Sequence, residues 1–376
     1  VDETYERLFT LAHRLGAGAK LPTVRALREE MGISQSTLDA ALDRLEGRQV
    51  LFRRQGSGIY VSPALRRKNV ALVCNPFSFL QSGGSPFWGL LVEHIRRLAA
   101  SNEAELTLHF ARLPEGAVDD VARTLAYRDP SPLPESLARD IAEGRVHGVI
   151  AVGIPHPVSR WVESNGVPVV AFAGPAGYIV GMSYPRMIQI GVAELARRGC
   201  RRVEMWTPPD RVGREGSEIF LGALAAHGLT EPQEFGDTPP ASPDAPPAVS
   251  AAEEGFRRGL ARFAPGADPP PPEGVVSVDD MMTQGLLMAL YRLGLRAGRD
   301  VQIATHANVG SAALLAWQGE LIEMEYDLSE LVSALFSTLE ALMDGRTPDW
   351  ASNAERLPEL HYRLAPRLRR PEGSDS

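Results

Sequence analysis

Lysine is nearly absent from this 376-residue chain: Lys20 and Lys68 stand alone, and every other basic side chain is arginine. With no lysine beyond Lys68, the larger part of the chain cannot hold pyridoxal phosphate as a Schiff base. Cysteine is equally scarce, Cys74 and Cys200 being the only two. They exclude a disulfide framework and a cysteine-rich zinc site, and they predict a reducing cytoplasm. No run of about 18 apolar residues occurs, so no membrane span is expected. The opening stretch VDETYERLFTLAHRLG is charged and amphipathic, without the apolar centre of a signal peptide. The phosphate loop G-x-x-x-x-G-K-[ST], the elbow G-x-S-x-G and the zinc motif H-E-x-x-H are all missing. The eight histidines are scattered without metal-ligand spacing. These absences argue against an enzyme, and no cofactor or metal is expected.

What is present is a lopsided charge. The net charge of −8 divides into 12 Lys/Arg against 8 Asp/Glu over residues 1–68, and 27 against 39 over the rest. A basic head on an acidic body suits one domain that meets phosphate while the body stays away from it. The length supports roughly two or three domains.

The first 62 residues read as three helices and a hairpin. Tyr5 to Leu15 is amphipathic and stops at Gly16-Ala17-Gly18. Pro22 is expected to open a second helix, which runs toward Gly32. Ser34 can cap a third, in which Leu38, Ala41, Leu42 and Leu45 share a face. Val50–Arg53 and Ile59–Val61 are β-type runs joined by a glycine-rich tip at Arg54–Gly58. Residues 63–69 read as a linker. From Val70 on, apolar runs at 70–74, 148–152, 167–172, 202–206, 274–278 and 301–304 alternate with amphipathic helices. That alternation predicts an α/β body of parallel sheets covered on both faces. The stretches 238–247 and 264–274 are Pro-rich loops, and residues 367–376 read as a disordered tail.

Residues 16–62 carry Lys20-Leu21-Pro22, Arg25, the Gly32-Ile33-Ser34 turn, Thr37 followed by Ala41-Leu42, Leu45, and Gly56-x-Gly58. In that order they resemble the GntR family of winged-helix regulators. The resemblance implies a winged helix-turn-helix that binds a double-stranded DNA operator. Ser34, Gln35, Ser36 and Thr37 form the outward first turn of the recognition helix, whose start can contact base edges and phosphate. Arg25, Arg53 and Arg54 supply positioning charge, and Gln55 and Gly56 form the wing tip. The family commonly carries arginine where this chain has Gln35 and Asp39. Gln favours adenine and Asp accepts only from cytosine, so an operator unlike the usual family sequence is expected.

Residues 70–366 resemble the effector domain of the LacI/GalR regulators, which shares the two-lobed fold of periplasmic sugar-binding proteins. The carriers are VALVCNPF, PFWGLLVEHI, RVHGVIAVG, GVPVVAF, AELARRGCRRVEMW and GVVSVDDMMTQGLLMALYRLGLRAGRDVQIA. The combination is similar to arabinose-repressor-type chimeras, and it implies a homodimeric repressor that answers to a sugar-like effector. Ligands in such sheets lie beyond the carboxyl ends of the strands. That rule nominates Asn75, Phe77, Trp206, Asp279, Asp280 and His306, with Trp88 as a further wall. Asp280 matches the acidic residue of the family's Asn-Asp element. Arg214 is nearest to its usual arginine, and Ala307 stands where an aspartate is usual. His306 is either a ligand contact or a hinge residue. Two other readings remain open: a body that only dimerises, and a solute-binding protein.

Overall fold

A computed structural model describes residues 2–48, 50–63, 68–76, 79, 84–102, 104–112, 133–154, 156–208, 213–229, 250–352 and 360–369. The head consists of α1 (Asp2–Leu15), α2 (Val24–Met31), α3 (Gln35–Gly47) and the hairpin β1 (Leu51–Arg54) and β2 (Gly58–Val61). Helical spacing brings Tyr5, Leu8 and Leu11 of α1 onto Leu38, Ala41, Leu42 and Leu45 of α3, and the hairpin adds Leu51, Ile59 and Val61 to this core. Helix α2 starts later than Pro22 predicts, because the Thr23 hydroxyl accepts the Ala26 N–H and takes the cap. It ends at Gly32, whose left-handed conformation (φ 65°) lets its N–H close on Arg28.

The body has two sheets. The first follows the order β12-β7-β6-β5-β3-β4. Its strands are β3 (Asn69–Cys74), β4 (Glu105–Phe110), β5 (Gly148–Val152), β6 (Val169–Phe172), β7 (Tyr178–Met182) and β12 (Leu360–Leu364), all parallel. Helices α4 (Phe87–Ser101), α5 (Glu135–Ala142) and α6 (His156–Ser164) belong to this lobe. The second sheet runs β13-β11-β10-β9-β8. It contains β8 (Val203–Trp206), β9 (Gly274–Ser277), β10 (Gln302–Asn308), β11 (Ile322–Tyr326) and the antiparallel edge β13 (Arg367–Leu368). With it go α8 (Gly213–Ala226), α9 (Ala251–Arg262) and α10 (Asp280–Arg292).

The chain passes between the lobes three times, after β7, β11 and β12. Helix α7 (Tyr184–Arg197) therefore packs on the second sheet, while α11 (Leu328–Met343) returns to the first. One continuous apolar cluster, with Val180 and Leu335 from one side and Val276 and Met324 from the other, runs through these crossings. It makes the hinge a packed region rather than a loose tether.

Two expectations about boundaries need correction. Residues 367–369 are not a free tail: β13 pairs Leu368 with Met324, and Arg369 reaches both Glu323 (3.0 Å) and Glu325 (3.3 Å). Lys68 already touches the body, pairing with Asp344 at 2.8 Å, and Asn69 is the first residue of β3. Linker residues 64–67 and the Pro-rich stretch 238–247 lie outside the described residues.

Candidate functional site

The exposed end of the head is built by local capping. Ser34 Oγ accepts the Thr37 N–H at 3.1 Å and lies 2.8 Å from the Thr37 hydroxyl and 3.0 Å from that of Ser36. Gln35 is engaged on both sides of its amide. Its Nε2 donates to both Asp39 carboxylate oxygens at 3.0 Å, and its Oε1 accepts from Arg28 at 3.3 Å. Arg25 is paired with Glu29 at 2.8 Å, one helical turn on, and Arg53 is held by Asp43 (2.9 Å) and Glu46 (3.2 Å) of α3. Arg54 lies 5.9 Å from the centroid of the Tyr60 ring, and Lys20 stands at the same distance. Tyr60 is fixed by stacking on Phe52 and by a 2.7 Å contact with the Ser57 hydroxyl. Gly56 (φ 71°) and Gly58 (φ 120°) turn the wing so that Lys20 Cε can pass 3.0 Å from where a side chain on Gly58 would start. The wing thus presents two cations around one ring. Lys20 was not among the sequence candidates, because its role depends on an isolated bridge to Tyr60, forty residues away.

In the body, the strand ends bring three residues from distant parts of the chain together. Asp280, in the first turn of α10 and 2% exposed, accepts from Asn308 Nδ2 at 3.3 Å and from the Ser85 hydroxyl at 3.4 Å. Asn308 ends β10 of the second lobe, whereas Ser85 precedes α4 of the first. The contact therefore crosses the cleft. Asn308 Oδ1 is buried without a hydrogen-bond partner among the described residues. Behind Ser85 the first lobe carries an aromatic group: Trp88 meets Phe87 at 5.0 Å, Phe79 at 5.9 Å and Phe172 at 6.2 Å. Phe172 opens onto a cavity of about 450 Å³ lined also by Ala173, Met182 and Tyr184, by Glu215 from α8, and by His361 and Arg363 of β12.

At the hinge, the Tyr326 hydroxyl donates to the Ser183 carbonyl at 2.9 Å, tying two of the three crossings together. Burial pushes the Tyr326 phenol up, keeping it a donor. His306 sits edge-on against that ring at 5.2 Å, in the hinge layer.

Residues 5–61 match the family described as bacterial regulatory proteins, gntR family, and residues 192–365 match the periplasmic binding protein-like domain. The chain joins a gntR-type DNA-binding domain to a periplasmic binding protein-like domain. Over 63 residues the chain is 35% identical to the uncharacterized HTH-type transcriptional regulator YydK of Bacillus subtilis (strain 168), covering 17% of this chain and 27% of that one. It thus spans about a quarter of the length of the curated relative it matches. A regulatory protein of the LacI family from Chloroflexus aggregans shares the fold at TM-score 0.57 and 18% identity, over 80% of this chain and 96% of that one. The lac repressor dimer bound to operator and the anti-inducer ONPF does so at TM-score 0.53 and 16% identity, over 74% and 88%.

Within the periplasmic binding protein-like body, the nominated residues separate. Asp280 and Trp88 lie at the cleft. Asn75 donates to the Gly153 carbonyl at 3.2 Å and ties two strand ends. Asp279 caps α10 by accepting the Met282 N–H at 2.9 Å. Trp206 is a correction. It is fully buried between β8 and α9, with Phe263 at 6.2 Å and the Arg258 guanidinium 4.4 Å over its ring. Its position at a strand end is as expected, but the period of two puts it on the face of Glu204, which its indole N–H reaches at 3.1 Å. Burial lowers Arg258 to about 10, which leaves it charged beside Glu204 and Glu254. Arg214 falls within α8, but its side chain, like Phe77 as a whole, lies outside the described residues. Ser85 and Asn308 were missed. Asn308 is one residue beyond Ala307, and the signal available was the continuation of β10 past His306.

Among the described residues no helix is long and apolar enough to cross a membrane, and no group of three or more His, Cys, Asp or Glu is placed to hold a metal ion.

Proposed function

We propose that the protein is a cytoplasmic, sequence-specific transcription regulator, a homodimeric repressor whose DNA affinity answers to a small molecule held between the lobes. The observation that carries this reading is the joining of an exposed recognition-helix start and a two-cation wing to a hinged body with a cavity at its strand ends. Such a head reads base edges in the major groove while the wing meets phosphate. A dimer is supported by apolar side chains left exposed on the second lobe, Met288 (51%) and Tyr291 (84%) on α10 and Leu315 (61%) nearby, and by Leu108 and Phe110 on the edge strand β4. Two-fold operators ask for two heads. By resemblance, a sugar or related polar metabolite is the first effector class to assay.

The test is an anisotropy titration of the full chain on operator fragments selected from a random DNA pool. Lys20→Ala with Arg54→Ala is expected to weaken binding to every sequence by about tenfold or more near physiological salt, and to flatten the salt slope by about two. Arg53→Ala should do less, because α3 carboxylates already hold that guanidinium. Binding that ignores the Lys20/Arg54 pair would refute the head's assignment. Asp39→Ala, which frees the Gln35 amide, is expected to raise adenine preference at one half-site position by roughly 1–3 kcal/mol. An unchanged selected sequence would show that Gln35 reads no base.

A further inference from the structure

We infer that the cavity beside the hinge takes a zwitterionic, apolar α-amino acid rather than a polyhydroxylated sugar. The inference rests on the regulator reading for its consequence, but the binding it describes does not depend on DNA. Strands β7 and β12 run side by side in parallel, with Ile179 next to His361 and Gly181 next to Arg363. Register partners face the same way. Gly181 has nothing within 4 Å of the position a Cβ would take, so Arg363 lies over bare backbone and open space. Across the cleft, the first turn of α8 presents Glu215, whose carboxylate is 3.8 Å from the Arg363 guanidinium. That is longer than a hydrogen-bonded ion pair, and both groups are well exposed, so parting them costs little.

The remaining wall has a different chemistry. Phe172, Pro175, Ile179, Met182 and Pro185 offer no side-chain hydrogen bond, and the two prolines have no N–H either, while Tyr184, His361 and Tyr362, which also line the cavity, carry its remaining polar side-chain groups. A sugar carries a hydroxyl on nearly every carbon. Each one turned against those five apolar residues would go unpaired, at a cost of roughly tenfold in affinity. An apolar amino acid divides as the cavity does. Its carboxylate matches the fork of Arg363, its ammonium matches Glu215, and its side chain covers Phe172 and Met182. A volume of about 450 Å³ is ample for any natural side chain. Because Arg363 belongs to the first lobe and Glu215 to the second, one ligand head bridging both would bind the closed arrangement better than the open one.

The experiment is calorimetry and thermal denaturation of the full chain with L-leucine, L-methionine and L-phenylalanine. The comparison probes are 3-phenylpropionate, phenethylamine and lactose. At a concentration 100 times its Kd, at least one amino acid is expected to raise Tm by about 5 °C. The probes lacking the ammonium or the carboxylate should bind about 100-fold more weakly, and lactose should cause no shift. Gly181→Val, which fills the cavity from a strand position with ordinary φ, should abolish amino-acid binding, and Arg363→Gln should weaken it about 100-fold. Both variants should melt within a few degrees of wild type without ligand. Binding of lactose in preference, absence of binding by all three amino acids, or binding indifferent to both substitutions overturns the assignment. A chain that binds operator but ignores amino acids keeps the regulator reading and loses this one. A chain that binds amino acids but no DNA does the reverse.

Discussion

Gly285→Ala is expected to destabilise the second lobe by about 3 kcal/mol or more, although alanine is the better helix former by about 1 kcal/mol. The reason is the approach of α9 and α10. A Cβ on Gly285 would lie 1.8 Å from the Ala252 carbonyl oxygen and 2.7 Å from the Phe256 nitrogen. A Cβ on Gly255 would lie 2.1 Å from the Met282 carbonyl oxygen, and one on Gly259 would lie 2.7 Å from the Ala289 Cβ. The neighbours of Gly285 are backbone, so no rotamer change relieves the overlap; the helices must part, and the layer that buries Met282 and Leu286 opens with them. Gly222, in the middle of α8, has nothing within 4 Å, and Gly222→Ala should stabilise by about 0.5–1 kcal/mol. Circular-dichroism melts of the two variants, side by side, give the answer. Because two lobes need not unfold together, the quantity to compare is the first transition. A Gly285→Ala protein that melts like wild type would show that α9 and α10 are not in backbone contact. Since α10 begins with Asp280, loosening it should also blur the cleft.

The parts of the fold that were legible in the sequence are those with a local cause. Ser34 caps α3 because a hydroxyl there meets an orphan N–H, and a serine before an apolar helical run advertises it. The central strands β3, β5, β6 and β9 are buried on nearly every residue and read as unbroken apolar runs. Two other strands gave no such run. In β4 the pattern ELTLHF leaves most side chains exposed, and in β11 Glu323 and Glu325 interrupt the apolar residues because Arg369 comes back to meet them. Burial, the larger influence, pushes the Glu323 carboxyl up, and Arg369 opposes it. Trp206 shows the limit of reasoning from strand ends, which gives a residue's place along the strand but not its face. Ser85, Asp280 and Asn308 show another limit, since three residues spread over more than two hundred positions meet only through the topology of two lobes. The Gln35–Asp39 bond was within reach, being an i,i+4 pair on one helix, and it ties together two side chains whose base preferences the sequence alone treated separately.

Asp280→Ala should cost about 2 kcal/mol of stability and loosen the lobes, and the two effects can be measured apart. The carboxylate is buried and receives the Asn308 amide at 3.3 Å from its own lobe and the Ser85 hydroxyl at 3.4 Å from the other. Removing it leaves the buried Asn308 amide without this acceptor, a loss that falls on the second lobe whatever the lobe angle. The Ser85 contact is different, because it exists only while the lobes are close. Ser85 also accepts the Phe87 N–H at 3.2 Å, which fixes the start of α4 and holds the hydroxyl toward Asp280. Ser85→Ala therefore removes the bridge and leaves the Asp280–Asn308 pair intact. Both bonds to Asp280 are long for their type, so the coupling between Ser85 and Asp280 is expected at the low end, about 0.5 kcal/mol, in a double-mutant cycle read by denaturation. Small-angle scattering should show a larger radius of gyration for either single variant than for wild type, and no further increase for the double, since one bridge can be lost only once. Operator affinity without effector should move by no more than that coupling allows, about threefold, because a lobe contact can shift the head's population only by its own free energy. Additive losses in the cycle with an unchanged radius would show that the first lobe does not lean on Asp280. A radius that grows only for Asp280→Ala would instead place the closing contact on another side chain facing that carboxylate.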